Sequence, residues 1–209
     1  MLTICWAAKG GSGTTVFAAA RALASPRPVL LVDLAGDAMA VLGLPDPDGP
    51  GAHDWLRSDA PGERLNRLEH TATEHLSIVP AGRIDGSDHG GRWFELGAHL
   101  RAETRPVIVD AGSGRPPAAL LAAADETLLV TRACYIALRR AAELGIAPSG
   151  VVLIQEPGRS LRAADIEASI GAPVVSTALL DPAIARAVDA GLLVSRLPGA
   201  WRRQLRAAA

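Results

Sequence analysis

The sequence predicts an α/β protein, with a mostly parallel central sheet of about seven strands flanked by helices. Three observations predict it. Short apolar runs recur along the chain, and most are continuous rather than alternating, as strands buried on both faces require. The stretches between them are rich in Ala, Leu and Arg at helical spacing. The first apolar run passes through a glycine-rich turn into a helical pattern, "ICWAAKGGSGTTVFAAA" over residues 4–20.

The expected strands are "LTICWAA" (2–8), "PVLLVDL" (28–34), "LSIVPAG" (76–82), "PVIVDAG" (106–112), "ETLLVTR" (126–132), "GVVLIQE" (150–156) and "PVVSTAL" (173–179). "CYIALRRAAELG" (134–145) typifies the helices that alternate with them. Two segments read as loops. "GLPDPDGPG" (43–51) is rich in Pro, Gly and Asp, and "AGRIDGSDHGGR" (81–92) is polar and glycine-rich, so Asp88 and His89 are expected in water. No repeat or linker divides the chain, and one domain over residues 1–209 is expected. Ligands of such sheets bind outside the carboxyl ends of the strands, where the glycine-rich turn lies.

The 209 residues are 49% hydrophobic, enough for one sizeable core. A net charge of −1 leaves no broad basic field for nucleic acid or an anionic membrane. Cys5 and Cys134 stand far apart with no secretory leader, which predicts reduced thiols in the cytoplasm. No apolar run is long enough for a transmembrane helix. Lys9 is the single lysine among 21 Lys and Arg residues.

The turn at 9–15 has the chemistry of a phosphate cradle. Successive backbone N–H groups at a helix N-terminus surround an anion, and Gly10, Gly11 and Gly13 permit the turn and the close approach. Ser12 completes the loop. Thr15 opens the helix with a hydroxyl suited to Mg²⁺. Asp33 and Asp110 end the second and fourth runs, where they would face the loop and hold Mg²⁺ through water; helix N-capping is the other role open to them. The general Walker A pattern fails at Ala8 and Thr14.

"KGGSGTT" (9–15) resembles instead the Lys-Gly-Gly-x-Gly-Lys-Thr loop of the MinD/ParA family of deviant Walker A ATPases, at every fixed place but Thr14. "LLVDLAGDAMAVLGL" (30–44) and "VIVDAGSG" (107–114) look like its two switches, the second with Asp110 and Gly114. "DETLLVT" (125–131) and "DPAIARAVDAGL" (181–192) are similar to a following strand and a late helix, so the similarity runs nearly end to end. The substitution at Thr14 is shared with the TadZ/CpaE branch, linked to assembly of Tad/Flp pili.

The resemblance implies a P-loop NTPase fold, ATP and Mg²⁺ as ligands, a homodimer, and protein partners in pilus or cell-envelope machinery. It also implies a degenerate site. The family's first switch reads Asp-x-Asp, with the second acid positioning water; Ala35 stands there, and Asp37 lies at a different spacing. Gln155 and Glu156 occupy the place where the family often reads adenine with Asn. A lost lysine removes about 1.5–3 kcal/mol of phosphate binding. A lost water-orienting acid slows turnover by about 10²–10⁴. Binding is thus reduced or lost, turnover is close to nil, and no catalytic residue is assigned. The alternative is an active ATP-dependent switch for partitioning or septum placement. In the family the first lysine reaches a partner's nucleotide across the dimer. Lys9 can do this, fold back in cis, or stand in water. The basic tail "LPGAWRRQLRAAA" (197–209) is expected to pack Trp201 on the domain and leave its arginines in solvent.

Overall fold

The computed structural model describes residues 1–207. The chain runs β1 (Leu2–Ala7), α1 (Thr14–Ala24), β2 (Val29–Asp33), α2 (Ala38–Leu42), α3 (Ala52–Leu56), a 3₁₀ turn (Gly62–Leu68), β3 (His70–Thr71) and β4 (Leu76–Val79). It continues with α4 (Arg92–Ala102), β5 (Val107–Ser113), α5 (Ala118–Ala123), β6 (Glu126–Arg132), α6 (Tyr135–Leu144) and β7 (Gly150–Gln155). It closes with α7 (Ala163–Ile170), β8 (Val174–Leu179), α8 (Pro182–Asp189) and α9 (Gly199–Ala207). The eight strands form one sheet in the order β3-β4-β2-β5-β1-β6-β7-β8. Only β3 runs antiparallel to its neighbour. All seven expected strands are present; the added β3 is a two-residue edge strand, too short and too exposed to carry a hydrophobic period.

The continuous apolar strands alternate between two cores. Cys5, Leu31, Ile108 and Val130 face α1, α2, α8 and α9. Ile4, Leu30, Val32, Val107 and Val109 face Trp55 of α3, Leu96 and Leu100 of α4, and Leu120 of α5. Trp201 and Leu205 of α9 are buried in the first core, packed as the tail pattern predicts.

Two features of this packing position the site. β1 lies between β5 and β6, so the turn leaving β1 sits at mid-sheet, above the carboxyl ends of both neighbours. Gly43, which ends α2 at φ 80°, meets the backbone of Gly191 so closely that a Cβ would lie 1.9 Å from its carbonyl oxygen. That contact draws the segment after α8 against α2, making two walls of one cleft.

Candidate functional site

Residues 8–13 join β1 to α1 as the glycine pattern requires. Gly11 and Gly13 take φ values of 75° and 93°, in the left-handed region that side-chain-bearing residues avoid. The Ser12 hydroxyl donates to the Lys9 carbonyl at 2.7 Å and closes the loop on itself. No side chain caps α1, so its N-terminal turn opens onto a cleft of about 720 Å³. Lys9 to Thr15 all line this cleft, opposite Ala35, Asp37, Gly112 and Ser113. Uncapped N–H groups and the helix dipole make such an opening a place for an anion.

Lys9 folds back on its own loop, with Nζ donating to the Gly10 carbonyl at 3.1 Å. Thr14, the first residue of α1, is buried and adds no charge.

The two expected metal-binding acids diverge. Asp33 and Asp110 are register partners on adjacent parallel strands, and Cys5 sits beside Asp110 on the next. Asp110 is fully buried below the loop. Its Oδ1 accepts from the Gly112 N–H at 3.0 Å, and its Oδ2 has no hydrogen-bond partner among the described residues. Burial pushes the carboxyl up to about 6, against the lowering pull of the Thr15 hydroxyl and the Gly112 N–H; Asp33 and Asp37 push it further up. Burial likewise pushes the Cys5 thiol up to about 12, which makes it an inert core residue.

Asp33 has other partners. Its Oδ1 accepts from Ala35 and Gly36, and its Oδ2 from Ala38, at 2.8–3.0 Å. It organises the turn into α2; neither it nor Asp110 lines the cleft itself, but only Asp110 keeps an oxygen without a hydrogen-bond partner among the described residues. Of its two roles open in the sequence, backbone capping is the one this geometry displays. Burial still raises its carboxyl.

A hydroxyl and an unpartnered carboxylate oxygen form a hard oxygen pair, and the donor set suits Mg²⁺. Among the described residues no cluster of three or more His, Cys, Asp or Glu side chains could hold a metal alone. Most ligands of a cation here would therefore come from phosphate and water.

Four further features escape the sequence. Asp37 lines the cleft despite its shifted spacing. Arg132, at the end of β6, lines a second cavity of about 510 Å³ with Ser12, Gly13, Val16 and Trp201. This cavity shares Ser12, Gly13, Val16 and Val188 with the cleft, and its other walls are mainly apolar. Glu156 turns away to pair with Arg132 and Arg159.

The last feature corrects an expectation. His89 is not in water: it is 8% exposed and packs on Trp93 and His53. His53 Nε2 lies 3.1 Å from the Leu34 carbonyl, an acceptor only, so it carries the proton. His53 Nδ1 then accepts from His89 Nε2–H at 3.4 Å. The pair ties the 81–91 loop to the turn after β2. Burial, then the charges of His53 and Arg57, hold His89 below its ordinary value. A lowered native value means that the pair's stability is complete above pH ~6.5 and is lost as pH falls below it. Amide protection across 85–91 is expected to drop severalfold between pH 7.5 and 5, after correction for intrinsic exchange. A His89→Gln chain should lack the dependence. Equal protection at both pH values would refute the latch.

No family model matches the chain. No curated protein matches it either. Solved structures do. A ParA family ATPase from Chlorobium tepidum TLS superposes with a TM-score of 0.77 at 20% identity, covering 99% of this chain and 98% of that one. The septum site-determining protein MinD of Pyrococcus horikoshii OT3, complexed with Mg-ADP, gives 0.75 at 22%, covering 99% and 93%. The MinC:MinD cell division protein complex of Aquifex aeolicus gives 0.76 at 18%, covering 99% and 93%. At these identities the likeness is one of fold, and it spans both chains: this protein has the P-loop α/β fold of the ParA and MinD ATPases.

Proposed function

We propose that the protein is a nucleotide-binding switch of the ParA/MinD type that holds ATP·Mg²⁺ and hydrolyses it poorly. The observation that carries this is the uncapped loop above a buried Asp110 whose Oδ2 lacks a partner. The loop N–H groups receive the phosphates, and Thr15 and Asp110 hold Mg²⁺, which neutralises phosphate charge. The apolar part of the cavity beside Gly13, walled by Leu180, Ile184 and Trp201, receives the base. Ala35 presents a methyl group where the family positions water, and Asp33 is engaged with backbone. Turnover is therefore slow. The protein acts through association, as a homodimeric positioning or assembly factor, and the Thr14 substitution it shares with the TadZ/CpaE branch points to pilus or envelope machinery in the cytoplasm. Among the described residues no helix is long and apolar enough to cross a membrane, so membrane or polar recruitment would run through partners. Calorimetric titration with ATP·Mg²⁺, paired with a phosphate-release assay, tests the reading; absence of binding refutes it.

A second reading rests on Asp37. It lines the cleft and could orient water, making the protein an active partitioning or septum-placement switch. Robust phosphate release that Asp37→Ala abolishes would establish this reading instead.

Lys9 supplies a further check. Its Nζ is held only by a neighbouring carbonyl and is free to exchange that contact for phosphate, in cis or across a dimer. Lys9→Ala is expected to weaken ATP·Mg²⁺ by about tenfold or more and to remove ATP-dependent association in sedimentation. If both are unchanged while the wild type binds, Lys9 has no such role.

A further inference from the structure

We infer that Arg132 supplies the phosphate-binding cation that the loop lacks at Thr14, leaving Glu156 for the nucleotide when one arrives. The inference rests on the nucleotide-binding reading above and goes beyond it in naming a residue outside the loop and the motif.

Position comes first. β6 pairs directly with β1, and Arg132 is its last residue, in register with Ile154 of β7. The sheet therefore places Arg132 at the carboxyl edge beside the turn that leaves β1. Its side chain lines the cavity that Ser12 and Gly13 share with the cleft. The guanidinium thus borders the phosphate loop from the side opposite Asp110.

Its bonding is incomplete. Nη1 donates to Glu156 Oε1 at 2.6 Å, while Nε is buried with no hydrogen-bond partner among the described residues. A guanidinium carries five donors in a planar fork, a shape that matches phosphate oxygens in pairs. A buried, unused donor is a disadvantage in the empty site and an advantage once an anion fills it.

Glu156 can release Arg132 without being left bare. Its second oxygen is held by Arg159, through Nε at 2.6 Å and Nη2 at 2.5 Å. Two arginines on one carboxylate leave a surplus positive charge at this rim. Lys9 and Arg159 also converge there. The N–H groups of Ala137 and Ile136, then the charges of Arg159 and Lys9, hold the Cys134 thiol at the head of α6 below its ordinary value. Arg132 and Arg159 thus share Glu156 as their one carboxylate partner among the described residues. Asp181 and Asp189 line the same cavity. Asp181 Oδ1 accepts from Ala183 N–H and caps α8, so that oxygen is engaged with the helix end.

The test is calorimetric titration of the full chain with three probes: ATP·Mg²⁺, tripolyphosphate·Mg²⁺ and adenosine. Arg132→Gln is expected to weaken ATP and tripolyphosphate by about ten- to a hundredfold and to leave adenosine within about twofold. Its circular dichroism and melting curve should match the wild type. Arg132→Lys should restore part of the loss. Glu156→Gln, which frees the guanidinium from the other side, should tighten ATP severalfold. Wild-type affinity for ATP in Arg132→Gln overturns the inference, as does an equal loss for adenosine, which would make Arg132 a base or ribose contact. Failure of Glu156→Gln to tighten ATP overturns it too. A wild type that takes up no ATP removes the nucleotide reading itself, and this inference with it.

Discussion

Asp110→Asn is expected to stabilise the ligand-free protein at pH 7.5 by about 3 kcal/mol and to remove the part of ATP binding that depends on Mg²⁺. Asp110 is fully buried and lacks a partner at Oδ2. Burial lifts its carboxyl to about 6 from an ordinary 3.8. Between those values the native protein holds a proton that the unfolded chain has lost. The protonated form's stabilisation is therefore complete below pH 3.8 and is lost as pH rises through about 6. At pH 7.5 the buried charge opposes folding. Asn removes it, keeps an oxygen for the Gly112 N–H, and places an NH₂ where the unpartnered oxygen stood. Urea unfolding at pH 4.5 and 7.5 would show the variant gaining on the wild type as pH rises. ATP titrations in Mg²⁺ and in EDTA would show the loss confined to Mg²⁺. A variant less stable than the wild type at pH 7.5 would mean that Asp110 has a structural role. On the proposed nucleotide-binding reading, a cation that arrives later offsets this buried charge.

The same residues show how far a sequence carries this kind of argument. The loop was legible because its requirement is local: Gly11 and Gly13 need positive φ, and glycine meets it. Asp110 was placed by the same reasoning at the end of its strand; the strand in fact runs on to Ser113, and Asp110 sits buried within it, in register with Cys5 of β1. Asp33 obeyed the same rule on paper, yet its oxygens turn to the N–H groups of Ala35, Gly36 and Ala38. The Asp-x-x-Gly spacing of 33–36 favours that turn, and a position-by-position match to a switch motif overlooks it. Asp37 was discounted for its spacing and nonetheless lines the cleft, because the turn that Asp33 organises carries it round. Arg132 and the His53–His89 pair were out of reach. Arg132 meets Glu156 24 residues away, and His53 meets His89 36 residues away through a loop that polarity assigned to solvent. Such contacts belong to the register of the sheet and the path of its loops, which no local pattern encodes.

Thr14→Lys is expected to tighten ATP·Mg²⁺ by ten- to a hundredfold and to leave phosphate release at background. Thr14 opens α1, is 7% exposed and lines the cleft beside Thr15. A lysine there can follow the cleft toward the phosphates. One charge-assisted contact contributes about 1.5–3 kcal/mol, or one to two decades in affinity. A cation at a helix N-terminus opposes the macrodipole by about 0.3–1 kcal/mol, so the ligand-free variant should unfold slightly earlier and the bound one later. Binding and turnover then separate. The lysine restores charge to the cradle, but the wall opposite still ends in the Ala35 methyl group, packed toward Gly112. Without an acid to orient water, the rate stays about 10²–10⁴ below that of an intact site. Asp37 is the acid in the cleft wall that could alter this outcome. The decisive comparison is therefore Thr14→Lys with and without Asp37→Ala, read by phosphate release at saturating ATP. Background rates in both support a switch that binds without turning over. Turnover in the first that vanishes in the second would mean that the first switch carries its acid at 37, and that the wild type lacks only the lysine.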